Sequence, residues 1–118
     1  IPTCVSDDPD AKRYVRSRVG VAFLRRMPAD LDERDLEAVK KMRRDYDPQD
    51  HLRLNAAYAE HVTDSLVGKF ALAGRPEECL EKVRALVKTG IDELNLTFMH
   101  PDTENLLRIF VRRIIEKL

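Results

Sequence analysis

Four residues whose types suit binding or catalysis come directly after predicted strands: Ser6, Gly74, Arg75 and His100. The strands are predicted near residues 1–5, 70–73 and 93–98. Serine, arginine and histidine donate hydrogen bonds, and histidine also exchanges a proton near neutral pH. Because the carboxyl ends of parallel strands meet at one edge of a sheet, we expect these residues to lie close together.

Gly74 and Arg75 stand before Pro76, at which a helix is predicted to begin. A glycine lets a ligand approach the backbone, a helix start offers free N–H groups, and an arginine can hold a phosphate with two parallel hydrogen bonds. Glu77 and Glu78 occupy the first turn of the same helix and would repel an anion. This segment is therefore either a phosphate or substrate contact or a solvent-exposed helix start.

The three histidines do not form a metal-binding pattern. His51 and His61 are ten residues apart, which is not the i, i+4 spacing of a helical zinc pair, so no metal site is predicted. His100 lies in a predicted turn, where it is either a proton donor or an ordinary surface residue.

The charged residues balance, with 21 Lys and Arg against 21 Asp and Glu. A nucleic-acid-binding protein normally has a basic excess, so no nucleic-acid partner is predicted. The basic runs are interleaved with acids, as on solvated helix faces. Asp7 and Asp8 could act as paired carboxylates, but a helix N-cap at Asp8 followed by Pro9 explains them.

The segment Phe70–Phe98 predicts a strand, a helix and a second strand. The first strand stops at Gly74, the helix begins at Pro76, and Gly90 ends it in a left-handed conformation. Apolar residues then alternate with polar ones over 93–98, as in a strand. The segment is therefore a parallel βαβ unit.

Two motifs flank the helix of this unit: Gly-x-Pro-Glu-Glu at residues 74–78 and Thr-Gly-Ile-Asp-Glu-Leu at residues 89–94. With the apolar strand that follows, they resemble the C-terminal part of luciferase-like flavin- or deazaflavin-dependent oxidoreductases. Those enzymes are (β/α)8 barrels. The resemblance thus implies an α/β fold, the helix-rich C-terminal segment of a TIM-type barrel with three short parallel strands and intervening helices. Family members often carry threonine where Arg75 stands, so a side-chain N-cap is lost here.

Chemistry in such a barrel occurs at the C-terminal ends of the strands. The resemblance implies FMN or a deazaflavin coenzyme bound there, with Ser6, Gly74 and Arg75 as candidate cofactor contacts. His100 is the candidate catalytic residue, as a proton donor or as a group that orients the flavin ring. The resemblance also implies a small-molecule substrate, and a cofactor site built largely from earlier strands.

The chain is expected to form a single domain over residues 1–118. Its three parts are a first βα unit at 1–28, a helical excursion at 29–69 and the last two βα units at 70–118. Within the excursion, we predict one helix over 31–45, capped by Asp30 or Asp32, and a second over about 48–61.

The last predicted helix, capped by Asp102, carries a wide apolar stripe that needs a partner surface. Because Ile1 is not a translation start and lies in a predicted strand, we expect a fragment of a larger barrel that is inactive in isolation. Its partner is then the rest of the barrel or a second copy of the chain. The alternative is a non-enzymatic α/β module that associates with itself or with a partner.

Cys4 and Cys79 are the only cysteines and form no C-x-x-C motif. We expect both to be reduced and buried in a cytoplasmic protein, the alternative being a disulfide between them. No apolar run approaches the ~20 residues that a membrane-spanning helix needs, so no membrane partner is predicted.

Overall fold

A computed structural model describes all of residues 1–118. The strands are β1 (Pro2–Val5), β2 (Leu72–Gly74) and β3 (Thr97–Phe98). The helices are α1 (Ala11–Arg25), α2 (Glu33–Asp45), α3 (Asp64–Phe70), α4 (Pro76–Lys88) and α5 (Thr103–Arg113). The predicted α/β class is confirmed.

The three strands form one parallel sheet in the order β2–β1–β3. Strand β1 takes the centre, where both of its edges are paired, and Thr3, Cys4 and Val5 are fully buried there. Barrel strands follow one another in chain order, whereas here the connection from β2 to β3 passes β1. The three parallel strands are confirmed, and the barrel stays a prediction.

Strand β2 is displaced from its predicted position at residues 70–73. Phe70 belongs to α3, because the Ala71 N–H still donates to the Val67 carbonyl at 2.9 Å and the Phe70 ring packs edge-on against Phe23, with centroids 4.9 Å apart. The strand therefore begins at Leu72.

The predicted strand 93–98 is reduced to Thr97–Phe98. Its pairing with β1 extends only from Pro2–Thr97 to Thr3–Phe98. The Ile1 amino group also donates to the Asn95 carbonyl at 2.5 Å, but the strand itself does not extend to that residue. Leu94 and Leu96 instead pack against the core without joining the sheet.

The predicted helix over 48–61 is wrong. The segment forms two short 3₁₀ helices, Pro48–Asp50 and Ala57–His61, separated by turns. Leu52 has a φ of 61°, a left-handed conformation that interrupts a helix and is rare for a branched side chain. The apolar residues of this segment have helical spacing, but the left-handed residue interrupts the helix that the spacing predicts.

The start of α1 also differs from the prediction. The helix begins at Ala11, and its N-cap is Asp10, whose side chain makes no capping hydrogen bond. Asp8 instead accepts the Asp10 N–H at 2.8 Å, which forms a turn ahead of the helix. The side chain of Asp8 is thereby left at the edge of the sheet.

The other predicted helix ends are confirmed. Asp32 accepts the Asp35 N–H at 2.8 Å at the start of α2, and Asp102 accepts the Asn105 N–H at 3.1 Å at the start of α5. Gly90 has a φ of 84° beyond the end of α4. These local capping signals suffice because they depend on neighbouring residues only.

The core lies on both faces of the sheet, because successive strand side chains point to opposite sides. Cys4 packs with α1, α2 and α3 on one face, and Val5 packs with α4 and α5 on the other. Cys4 and Cys79 are free and buried, as predicted. Burial raises the pKa of Cys4 to about 12 and that of Cys79 to about 11, so neither thiol is a reactive thiolate at neutral pH.

Gly20 lies in the middle of α1 against the buried ring of Tyr58. An added Cβ would lie 3.1 Å from two Tyr58 ring carbons and 3.3 Å from the Met42 sulfur. The ring cannot yield easily, because its hydroxyl accepts the Leu52 N–H at 3.0 Å. Close packing therefore favours glycine here, despite its low helix propensity.

We expect Gly20→Ala to destabilise the chain by about 1 kcal/mol, since the crowding outweighs the gain in helix propensity. Gly68→Ala is the matched control: Gly68 lies in α3 with no atom within 4 Å of the added Cβ, and it should stabilise by about 0.5 kcal/mol. Urea unfolding followed by circular dichroism measures both. A Gly20→Ala chain as stable as the wild type would contradict this packing.

Candidate functional site

The segments that follow the three strands lie at one edge of the sheet, as the sequence predicts. The Ser6 N–H donates to the Gly74 carbonyl at 3.0 Å, which joins the ends of β1 and β2. The Met99 N–H donates to the Thr3 carbonyl at 2.9 Å, which holds the end of β3 beside β1. All four predicted site residues therefore lie along this carboxyl edge.

Three of them line one polar cleft between the ends of β1 and β2, with a volume of about 470 Å³. Its lining residues are Ser6, Asp7, Asp8, Pro9, Ala11, Lys12, Asp64, Gly74, Arg75 and Glu78. We call this space the polar cleft. His100 is absent from its lining.

Backbone geometry shapes the polar cleft around Gly74. Its φ of 124° disfavours any residue with a side chain, and an added Cβ would lie 3.4 Å from a Glu78 carboxylate oxygen. Ser6 accepts the Asp8 N–H at 3.1 Å, so its hydroxyl proton can still be donated to a ligand. Arg75 is exposed, makes no ion pair, and caps α4 without a side-chain hydrogen bond.

Carboxylates outnumber cations in the polar cleft. The acids are Asp7, Asp8, Asp64 and Glu78, and the cations are Lys12 and Arg75. Arg16 lies 3.1 Å from Asp64 and Lys12 lies 4.0 Å from it, so one acid is neutralised by neighbours. Lys12, which makes no hydrogen bond to Asp64, and Arg75 therefore remain for an incoming anion, against the carboxylates of Asp7, Asp8 and Glu78.

The N-terminus of α4 is also occupied by negative charge. The backbone N–H of Glu77 lowers the pKa of its own carboxyl, and the Arg113 guanidinium, which donates to that carboxylate, lowers it further. The positive end of the α4 dipole therefore already interacts with an ionised carboxylate, that of Glu77. This arrangement agrees with the prediction that the first-turn glutamates oppose an anion.

His100 lies on the other side of β1, beside a smaller and mainly apolar cavity of about 210 Å³. The lining residues are Tyr14, Ser17, Leu52, Leu54, Met99, His100 and Pro101. The His100 ring meets the Tyr14 ring edge-on, with centroids 4.8 Å apart. We call this space the apolar cavity.

Asp8 lies between the two spaces. One of its carboxylate oxygens is 3.8 Å from His100 Nε2, and the residue also lines the polar cleft. From the sequence, Asp8 is predicted as a helix cap, and neither Tyr14 nor Leu52 is predicted as a site residue. The position of Asp8 just after a strand was a usable signal, whereas nothing local in the sequence places Tyr14 or Leu52 near His100.

No three His, Cys, Asp or Glu side chains are grouped so as to hold a metal ion. None of the helices combines the length and the apolar character needed to cross a membrane.

The fold and this carboxyl edge can now be set beside known proteins. The sequence model of the luciferase-like monooxygenases matches residues 1–93, and the chain belongs to that family. Comparisons with curated proteins and with solved structures gave no match. The matched range includes Ser6, Gly74 and Arg75 and ends before His100.

The residues present do not by themselves fit the phosphate of a flavin coenzyme. The polar cleft offers two cations, Lys12 and Arg75, against the three carboxylates that Arg16 does not neutralise, and the start of α4 is occupied by Glu77. A phosphate bound there would need further cations from outside this chain. The cleft can provide hydrogen bonds and close backbone approach at Ser6 and Gly74.

Proposed function

We propose that this chain is the C-terminal part of a flavin- or deazaflavin-dependent oxidoreductase of the luciferase-like family. Its reaction is hydride transfer or monooxygenation of a small-molecule substrate. The observation that carries the proposal is the family match over residues 1–93. The two free, buried cysteines suit a reducing compartment, and we place the protein in the cytoplasm.

In this proposal the coenzyme supplies the redox chemistry, and the protein binds and orients it. Ser6 and Gly74 offer a hydroxyl donor and close backbone approach at one edge of the coenzyme, and Arg75 offers a charged donor. His100 donates a hydrogen bond or a proton from the end of β3. Nothing in these four residues favours FMN over a deazaflavin, and the phosphate of either would need further cations.

The excess of carboxylates in the polar cleft supports a further part of the proposal, that the site is completed elsewhere. The other barrel strands, or a second copy of the chain, supply the missing cations. The isolated chain should then bind FMN with a Kd weaker than about 100 μM, since two exposed cations contribute little against an excess of carboxylates. Fluorescence titration measures this affinity, and a Kd near 1 μM would contradict the incomplete site.

A second candidate function, as an association module, is favoured by the exposed face of α5 and the residues that follow it. Four apolar side chains there are 40–57% exposed: Leu107, Val111, Ile115 and Leu118. Leu106, Phe110 and Ile114 are buried, so the predicted stripe is wider than the core can cover. Such a face favours association with a second copy or with the rest of a barrel.

Val111→Glu should weaken self-association about tenfold or more, because a carboxylate would be buried without a partner. Asn105→Glu is the matched control, since Asn105 is an exposed polar residue on a different face of α5. Sedimentation velocity over a range of concentrations compares the variants with the wild type. A wild-type chain that stays monomeric at high concentration would count against this candidate.

A further inference from the structure

A cavity of about 460 Å³ lies at the opposite end of α1 from the polar cleft. Ala11 and Lys12, at the start of α1, line the polar cleft, whereas residues 21–26 contribute to this second cavity. Ten residues of helix span about 15 Å, so the two spaces are separate. We call the second cavity the arginine pocket. It is lined by Val21, Ala22, Leu24, Arg25 and Arg26 on one side and by Tyr46 and His51 on the other.

Two guanidinium groups in the arginine pocket have no partner within the chain. Arg25 and Arg26 are exposed, and neither makes an ion pair or a side-chain hydrogen bond. Of the acids next to the two rings in the sequence, Asp45 and Asp50 are paired with arginines, and Asp47 caps the first 3₁₀ helix. No carboxylate lines the pocket. An anion there meets cations only, in contrast to the polar cleft.

The C-terminal end of α1 does not cancel this positive charge. The free carbonyls at the end of a helix are equivalent to about half a negative charge. Arg43 donates to the Phe23 carbonyl through Nε at 2.9 Å and through Nη2 at 2.7 Å. A third guanidinium therefore satisfies one of these carbonyls. The cations at this end of the helix outweigh its dipole.

The wall opposite α1 consists of two rings that are held in place. Tyr46 packs edge-on against the buried ring of Tyr58, with centroids 5.3 Å apart. Its hydroxyl is hydrogen-bonded to His51 Nδ1 at 2.8 Å. A neutral tyrosine and a neutral histidine carry two such protons and use one between them. Either the histidine Nε2–H or the tyrosine O–H is therefore left as a donor for a ligand.

We infer that the arginine pocket binds an aromatic carboxylate. A carboxylate matches a guanidinium group with two parallel hydrogen bonds, and the remaining donor of the Tyr46–His51 pair adds a third. A flat ring can lie between these two rings and the aliphatic wall of α1, whereas a small inorganic anion would leave that wall uncovered. The aliphatic wall consists of Val21, Ala22 and Leu24.

This site goes beyond the proposed function, because it lies away from the carboxyl edge and requires no coenzyme. A ligand there contacts both α1 and the irregular segment that follows α2. Binding should therefore hold that segment against the helix. FMN is a different kind of anion, since its phosphate lies at the end of a flexible chain rather than on the ring.

The ligand class is tested by titrating 2-naphthoate into the ¹⁵N-labelled chain and following the amide signals. We expect changes centred on residues 21–26 and 46–51. The uncharged analogue 2-naphthamide should bind about tenfold more weakly, because it forms no charged pair with a guanidinium. Inorganic phosphate should also bind more weakly, because it has no apolar body. Equal affinity for the amide or for phosphate, or changes centred on the carboxyl edge, would overturn the inference.

The role of the arginines is tested with the double variant Arg25→Gln/Arg26→Gln. Its affinity for 2-naphthoate should fall about tenfold, to the level of the amide, while its affinity for the amide stays unchanged. The matched control is Arg34→Gln/Arg112→Gln, which removes two exposed arginines that make no ion pair and do not line the pocket. An equal loss in both double variants would show an effect of net charge alone and would refute the site.

Competition with FMN separates this site from the proposed coenzyme site. FMN should not displace 2-naphthoate, because the two sites lie at opposite ends of α1. Displacement would overturn the arginine pocket as a separate carboxylate site. Absence of any FMN binding would leave the arginine pocket standing, and absence of 2-naphthoate binding would leave the proposed coenzyme dependence standing while refuting the pocket.

Discussion

Asp35→Ala should destabilise the chain by about 3 kcal/mol. Asp35 is fully buried and accepts hydrogen bonds from Thr63 at 2.7 Å, Ser65 at 2.7 Å and Lys69 at 2.9 Å. These bonds join α2 to the start and end of α3. Removing the carboxylate leaves two hydroxyls and an ammonium group without their acceptor. Because Lys69 is 41% exposed, it regains some hydration, so the loss is smaller than for a fully buried ion pair.

Urea unfolding followed by circular dichroism measures this loss. Glu37→Ala is the matched control, because Glu37 lies on the exposed face of the same helix and makes no ion pair. It should change the free energy of unfolding by less than about 0.5 kcal/mol. An Asp35→Ala chain within that same range would show that the buried carboxylate contributes no net stability.

The pH dependence of stability follows from the same group. Burial alone would raise the pKa of Asp35, but hydrogen bonds from Lys69, Thr63 and Ser65 outweigh it and hold the pKa below its ordinary value of 3.8. A carboxyl group whose pKa is lower in the folded state stabilises the fold at pH values above its unfolded pKa. This contribution to the free energy of unfolding is lost as the pH falls through the folded pKa. The wild type should therefore lose stability in acid more steeply than Asp35→Ala.

Tyr58→Ala should destabilise the chain by about 4 kcal/mol, in the range for removing a large buried aromatic ring. The ring is fully buried against Gly20 and packs edge-on against Tyr46, with centroids 5.3 Å apart. Its hydroxyl accepts the Leu52 N–H at 3.0 Å and donates to the Ser17 carbonyl at 3.4 Å. The ring thus anchors the irregular segment between α2 and α3 onto α1.

Tyr58→Phe separates the ring from the hydroxyl and should cost about 1 kcal/mol. Thermal unfolding of both variants gives the comparison, and a Phe variant as damaged as the Ala variant would assign the effect to the hydroxyl. Hydrogen exchange of the Leu52 amide should be faster in both, because its acceptor is gone. Unchanged exchange would contradict the role of Tyr58 in holding this turn.

The sequence predicted those parts of the fold that depend on near neighbours. The amphipathic helix α4 and the caps at Asp32 and Asp102 are encoded within a few residues, and each is present. The helix predicted over residues 48–61 is absent because the structure there depends on the hydrogen bond from Tyr58 to α1 and on the left-handed conformation of Leu52. Neither requirement leaves a periodic signal.

The site was predictable to the extent that it depends on strand ends. Ser6, Gly74 and Arg75 share the polar cleft because parallel strands end at one edge. The position of Asp8 beside His100 requires β1 to lie next to β3. In a barrel whose strands follow chain order, β1 would not lie next to β3. The sequence therefore did not indicate that Asp8 lies beside His100, and Asp8 was assigned to a helix cap.

The most direct test of the account is a map of where FMN contacts the chain. Amide chemical-shift changes in a ¹⁵N-labelled sample titrated with FMN should be confined to Ser6, Gly74, Arg75 and the turn at His100, with the weak affinity of an incomplete site. Changes centred on α5 or on residues 46–51, or tight binding by the chain alone, would contradict the claim that this carboxyl edge is one part of a flavin site.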